Sequence, residues 1–347
     1  MATKSYIRRR AALVASSMLA LFSLPSCEKD VVEEPVPAEE PKAGLTLVVS
    51  VPETRAAVTP YEGDVMSLDL LVFRNGALDA SQRVTGTALR SIGAEVSAGV
   101  PVHWKVVANA PAGAFGSVTT ESAFESALTY LTDGTASSLV MGASGSVTVT
   151  QGAEPVPVTL DRYSCKVTVE SLEMKWMDTL DDPVVTLERI VLVNVVGSTP
   201  YTGVPAIGPI WYNALDVDDD LPAYVRDMTV ADYGSRRITS SASFDVTSSL
   251  YCMPNPTSNN TNSLNTPTWS ERCTRVAVEV KVNGVSNWYP VTLPSMLCNR
   301  HYVIRRLVLN GPGSQGPDWP VERDDVSFSV DILPWLTNDI APVWTGD

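Results

Sequence analysis

The chain has 347 residues, 44 % of them hydrophobic and 18 % charged, so it can build real cores and is not a disordered polypeptide. Its 39 acidic against 25 basic residues leave a net charge of −14, which argues against non-specific nucleic-acid binding, because that needs a basic stripe to displace phosphate counterions. Two histidines far apart leave little room for His-rich metal sites or imidazole chemistry, and the length is that of about two domains.

The N-terminus reads as an export signal. Lys4, Arg8, Arg9 and Arg10 form a positive start, and Ala11 to Leu24 form an apolar stretch too short for a comfortable membrane span. It ends in Leu24-Pro25-Ser26-Cys27, which looks like a bacterial lipobox, so residues 1–27 are expected to be a lipoprotein signal with Cys27 lipidated. An ordinary cleaved signal with an incidental cysteine is the alternative. A lipid on Cys27 would tether the protein to a membrane without spanning it. Removing residues 1–27 takes away four basic and no acidic groups, leaving −18 and nothing to attract anionic partners.

Glu28 to Gly44 is rich in Glu, Pro and Ala without periodicity, as an extended leash would be. Leu45, Leu47, Val49 and Val51 then alternate with polar or smaller residues, which predicts a half-buried strand. Pro52-Glu53-Thr54-Arg55-Ala56-Ala57 follows. An arginine between small residues in a Pro-flanked connector suits an Arg-specific protease, although any exposed loop arginine would qualify.

From Ser67 onward the pattern is short strands with turn punctuation. Leu68, Leu70 and Val72 alternate, and Asn75-Gly76 signals a hairpin. Val102, Trp104, Val106 and Ala108 alternate again. Between Thr119 and Thr132, Ala123, Phe124, Ala127, Leu128 and Leu131 fall at helical spacing, predicting one short helix capped by Thr119 or Thr120. Val147 and Val149, then Val156, Val158 and Leu160, continue the strands, and Cys165, Val167 and Val169 share a face. Strands follow over Leu187 to Val196 and over Val276 to Val282. Asn283-Gly284 then turns the chain into a return strand from Trp288 to Leu293. Val326 to Ile332 alternates apolar and polar residues. The expected fold is all-β with one short helix: two tandem Greek-key β-sandwiches of transthyretin-like type, over residues 56–161 and 162–347, joined near Arg162.

No active site assembles from these residues. Gly142-Ala143-Ser144-Gly145-Ser146 misses the nucleophile-elbow spacing and its flanks read as turn and strand. Gly311-Pro312-Gly313-Ser314-Gln315-Gly316 lacks the lysine of a phosphate loop and reads as a flexible connection. Asp216, Asp218, Asp219 and Asp220 could attract a hard cation, but the segment has neither the turn glycine nor the terminal Glu of a calcium loop. His103 and His301 read as structural side chains. No metal site and no cofactor are expected. Outside the cytoplasm Cys165, Cys252, Cys273 and Cys298 could pair. Cys252 and Cys273 bracket a polar segment that would gain most from closure, by about 3 kcal/mol in a chain-entropy model, while Cys165 reads as a small buried hydrophobe.

In order along the chain, these features resemble the fimbrillins, the type V pilins of Bacteroidota. The likeness rests on the lipobox at Cys27, Arg55 after one strand, and Leu68-Asp69-Leu70-Leu71-Val72-Phe73 with its Asn75-Gly76 turn. It continues through Val158-Thr159-Leu160-Asp161-Arg162 into Lys166-Val167-Thr168-Val169, the Tyr251-Cys252-Met253-Pro254-Asn255 step, Asn299-Arg300-His301-Tyr302-Val303-Ile304 before Gly311-Pro312-Gly313, and the ending around Trp335 and Trp344. The acidic run after Cys27 similarly resembles the surface-export signal of lipoproteins in that group. The cysteines depart from the family pattern.

The resemblance implies a lipidated precursor on the outer membrane. An Arg-specific surface protease cuts it after Arg55, residues 28–55 leave as a propeptide, and Ala56 becomes the new terminus. Loss of the first strand would bare an apolar groove and unpaired backbone groups. The C-terminal segment of another copy or of a related pilin would fill it, giving a head-to-tail filament. Val326, Phe328, Val330, Ile332, Trp335 and Trp344 are the donor-strand residues this implies. A stalk subunit fits better than an anchor, because Arg55 offers a cut, and better than a tip, because a C-terminal segment follows the last domain. The alternative from another class is a surface glycan-binding module stacking sugars on Trp176, Trp211, Trp269 and Trp288. Coplanar exposed tryptophans would favour that module, and a first strand clamped across an open groove would favour the pilin.

Overall fold

The computed structural model describes residues 41–51, 62–335 and 343–344. Cys27, Arg55 and Ala56 lie outside these residues. In chain order the first half contains β1 (Lys42–Ser50), β2 (Ser67–Arg74), β3 (Ala77–Thr85), β4 (Ser91–Ser97), β5 (Pro101–Ala108), α1 (Glu121–Ser126), β6 (Leu128–Tyr130), β7 (Met141–Thr148), β8 (Val156–Thr159) and β9 (Asp161–Arg162). The sheet β4-β1-β8 and the sheet β3-β2-β5-β7-β9 share one core. Leu45, Leu47 and Val49 of β1 pack there with Leu68, Leu70 and Val72 of β2 and with Val102 and Val106 of β5. The β2–β3 turn has Asn75 and Gly76 at φ 50° and 78°, the positive pair that a type I′ hairpin requires.

β2 is buried on both faces, which the alternation of Leu68, Leu70 and Val72 alone does not predict. Leu71 and Phe73 point the other way into a second cluster with Phe115, Phe124, Tyr163 and Tyr201. The helix is also shorter than its periodicity suggests. Thr120 caps it through Oγ1, which accepts from the Ala123 N–H at 3.1 Å, but the helix ends at Ser126. Residues 128–130 become extended instead, because they pair with Ser198–Pro200. Long-range strand pairing there overrides a weak local propensity. Gly142 and Gly145 lie within β7, and a Cβ at Gly145 would overlap the Trp104 ring.

The second half holds β10 (Cys165–Met174), β11 (Val185–Val193), β12 (Val195–Val196), β13 (Ser198–Pro200), β14 (Trp211–Tyr212), α2 (Ala223–Thr229), β15 (Val230–Ile238) and β16 (Phe244–Cys252). β17 (Arg275–Val282), β18 (Val285–Thr292), β19 (Arg300–Ile304), β20 (Leu307–Leu309), β21 (Val326–Ser327), β22 (Val330–Pro334) and β23 (Val343–Trp344) complete it. β10 organises a seven-stranded sheet in the order β21-β20-β10-β19-β22-β23, with β16 also paired to β10. A four-stranded sheet, β15-β11-β17-β18, supplies the other wall of the core, where Val167, Val169, Leu187, Ile190, Val278 and Val280 meet. The β17–β18 turn repeats the type I′ solution, with Asn283 at φ 51° and Gly284 at 83°. Sheet membership changes between Arg162 and Cys165, while β6 pairs β13 across the two halves, and Glu40–Asp347 forms one compact unit.

Two expectations are corrected. Cys252 and Cys273 are not placed as a pair: Cys252 lies opposite Cys165 in the β10–β16 ladder. Cys252 points into the core, its Sγ 3.9 Å from Met296 Sδ, whereas the Cys273 thiol donates to the Thr257 carbonyl at 3.5 Å. The 311–316 connection is held rather than loose. Ser314 and Trp288 exchange backbone hydrogen bonds of 2.8 and 2.9 Å, and a Cβ at Gly313 would lie 2.6 Å from the Trp288 carbonyl.

Candidate assembly site: the first strand and the C-terminal edge

β1 is the central strand of its sheet. It runs antiparallel to β4, with Lys42 to Val48 opposite Ser97 to Ser91, and parallel to β8, with Leu47 to Ser50 opposite Val156 to Thr159. Ala43, Leu45, Leu47 and Val49 are buried, Leu47 completely, while the alternate positions face solvent and Val48 is 44 % exposed. Strand geometry enforces this split, since successive side chains leave opposite faces. Further bonds extend the ladder at both ends: the Val49 N–H donates to the Arg90 carbonyl (2.8 Å) and the Leu160 N–H to the Ser50 carbonyl (2.9 Å). Taking β1 away would open two strand edges, β4 and β8, facing each other over a floor of Leu68, Leu70, Val102 and Val106.

Directly after residues 52–61, which contain Arg55, the chain is pinned at Glu62. This side chain is 2 % exposed. Its Oε1 accepts from Lys166 Nζ at 2.6 Å and from the Tyr251 hydroxyl at 2.5 Å, and its Oε2 accepts from Trp335 Nε1 at 3.2 Å. The Arg162 guanidinium donates to the Glu62 carbonyl (Nη2, 3.1 Å) and lies 4.7 Å from the Trp335 ring centroid, while Tyr251 stacks on Trp335 at 6.0 Å. Burial pushes the Arg162 pKa down to about 10, still cationic at neutral pH. Sequence reading missed this cluster, because nothing in Tyr61-Glu62-Gly63 marks a buried carboxylate. Lys166 gave no signal either, since it alternates with Thr168 and Glu170 along a half-polar strand.

At the C-terminal side, Val326 pairs with Leu309, and Val330 to Pro334 run antiparallel to Ile304 to Arg300. Val330 is fully buried, Phe328 and Ile332 are half-buried on the second core, and Trp335 is buried against Glu62. Val326 to Trp335 therefore belong to the sheet and core of their own chain. Val343–Trp344 form one edge strand of this sheet and, among the described residues, pair with Asp331 and Val330.

The tryptophans do not make a flat platform. Trp211 and Trp269 meet edge-on, 5.1 Å apart and inclined by 69°, Trp288 is buried under Arg189, and Trp176 packs against the core. His103 faces Glu121 at 2.9 Å, and His301 faces the Thr168 hydroxyl at 2.8 Å. Burial, with Lys166 nearby, lowers the His301 pKa to about 4, so its ring is neutral. In the acidic loop, the Asp218 carboxylate accepts from the Asp220 N–H at 2.9 Å and Asp219 lies 3.8 Å from Arg189, while Asp216 accepts from the Val217 N–H.

No protein-family model matches the chain, and no curated protein sequence does either. Solved structures do. A protein assigned to cell adhesion from Bacteroides eggerthii superposes with a TM-score of 0.61 at 19 % identity, over 86 % of this chain and 97 % of its own. A fimbrilin from Porphyromonas gingivalis gives 0.60 at 13 % identity, over 86 % and 98 %. A further cell-adhesion assignment, from Parabacteroides distasonis, gives 0.60 at 18 %, over 86 % and 100 %. Over 86 % of its length, this chain has the all-β fold of these fimbrilin and cell-adhesion structures.

Proposed function

We propose that the protein is a structural subunit of a surface fimbria, not an enzyme, and that it polymerises by strand exchange to support adhesion. The observation that carries this reading is β1: a strand clamped at the centre of a sheet, over an apolar floor, and followed within a few residues by Arg55. The precursor is lipidated on Cys27 and held at the outer membrane, and a cut after Arg55 by an Arg-specific surface protease frees β1. The vacated slot then presents two unpaired edges and accepts a segment of the next subunit, by main-chain hydrogen bonds and alternate side-chain pockets. The donor is the C-terminal segment that carries Val343–Trp344, an edge strand joined to its sheet by two residue pairs. Release of Val326 to Ile332 would instead empty part of the chain's own core. The contact is head-to-tail and does not close, so it propagates as a fibre. The fimbrilin and cell-adhesion assignments of its structural neighbours support a fimbrial role, and the candidate cut at Arg55 favours a stalk position over an anchor.

The test is proteolysis of the purified full chain with an Arg-specific protease, followed by electrophoresis for detergent-resistant ladders. The unmodified chain is expected to give a ladder and a new N-terminus at Ala56, and Arg55→Ala is expected to remain monomeric and lipidated. Polymers from Arg55→Ala would overturn the cleavage step.

A further inference from the structure

Cys165 opens β10 and Cys252 closes β16, and the two are directly opposite in the antiparallel ladder. Directly opposed residues in such a pair have Cα atoms about 4.5–5.5 Å apart, inside the range of about 4.4–6.8 Å that a disulfide spans. Both residues are 0 % exposed; the Cys165 thiol donates to the Leu297 carbonyl at 3.1 Å, and Cys252 Sγ lies 3.9 Å from Met296 Sδ. Cys298 is less buried, and Cys273 sits away from this pair against Thr257.

We infer that Cys165 and Cys252 are a disulfide-forming pair that staples β10 to β16 in the exported protein. This rests on the export reading above, because cytosolic thiols are kept reduced. The oxidant is a small-molecule or protein disulfide. One cysteine thiolate attacks a sulfur of that disulfide and expels its partner as a thiolate. The second cysteine thiolate then attacks the mixed disulfide, forming the Cys165–Cys252 bond and expelling the other thiolate. Two cysteines are oxidised, one disulfide is reduced, and the two protons pass to the expelled thiolates. Burial raises the Cys165 thiol well above its ordinary range, so little thiolate exists once the core has closed. The bond therefore forms on the folding chain and is then shielded from reductants. It locks the strand that carries Lys166 to the strand that carries Tyr251, the two ladder neighbours that hold Glu62, so the second half keeps its shape while the first half gives up β1.

The experiment is oxidative refolding of the full chain with oxidised and reduced glutathione, then alkylation in denaturant and peptide mapping by mass spectrometry. The expected result is loss of alkylation at Cys165 and Cys252 together, a linked peptide joining them, and continued labelling of Cys273 and Cys298. Cys298→Ser should leave the linked peptide intact, and Cys252→Ala should restore labelling at Cys165. Full labelling of both cysteines, or a bridge from Cys165 to Cys298 or Cys273, would overturn the proposal. The same mapping on protein taken from the cell surface separates the two readings. A bridge there supports both. A bridge after refolding, with free thiols on cell-derived protein, would count against the bridge in the cell and against exposure to an oxidising compartment, not against the pairing geometry.

Discussion

Glu62 shows how much can rest on one side chain. A carboxylate with almost no water contact is tolerated only when paired and hydrogen-bonded, and Glu62 has Lys166, Tyr251 and Trp335 as donors. Truncation would strand the Lys166 ammonium in the interior, which typically costs about 3–5 kcal/mol, far more than an exposed ion pair returns. Glu62→Ala is therefore expected to lower the unfolding free energy by that amount in urea denaturation, and Glu62→Gln by less, because an amide still accepts hydrogen bonds. A loss below about 1 kcal/mol for the alanine variant would show that the cluster does not hold the fold. Asp318 plays a related part in the second half, buried between Arg272 and Arg275 and accepting from Asn194 Nδ2 at 2.8 Å. Such residues are illegible in a sequence. A lone Glu or Asp in a polar stretch looks the same whether it faces water or three donors.

At the scale of elements, β1 behaves as its pattern predicts, because a half-buried strand needs only alternation to choose its faces. The burial of Leu47 and the exposure of Val48 offer a paired test. Leu47→Ala should destabilise the uncut chain by about 2–5 kcal/mol through cavity formation, whereas Val48→Ala should change it by no more than about 0.5 kcal/mol, both read from denaturant midpoints. Equal effects would mean that the strand is not docked on the apolar floor. The hairpins at Asn75-Gly76 and Asn283-Gly284 were equally legible, since their backbone angles follow from local sterics. The predicted helix was legible only in part, because Leu128 to Tyr130 answer to β13, some seventy residues away. β2 is a similar case: a second apolar face declares itself only when α1 lies over Leu71 and Phe73.

For the whole molecule, the proposed assembly requires that one strand leave without carrying the rest with it. β1 contributes a face of four apolar side chains to a core whose other walls are β2, β5 and β7, and the second half has a core of its own. The vacated slot should then accept any strand that presents the same alternation. A synthetic peptide of residues 42–51, in excess during proteolysis, is expected to occupy it and suppress the polymer ladder. The same peptide with Leu47→Lys should have no effect. Undiminished ladders with the first peptide would show that the slot is not the polymerisation acceptor.

The length and charge that excluded a nucleic-acid binder, the turn dipeptides and the period-two runs already determined an all-β chain with an apolar, alternating first strand ahead of an arginine-bearing connector. These are local properties, fixed by backbone sterics and by which side chains avoid water. Only the tertiary structure decided that this strand lies at the centre of its sheet, that Glu62 ties the following segment to Trp335, and that Cys252 faces Cys165 rather than Cys273. Each of those depends on which distant strands pair. That choice is made by the summed burial of residues far apart in the chain, which no local pattern records.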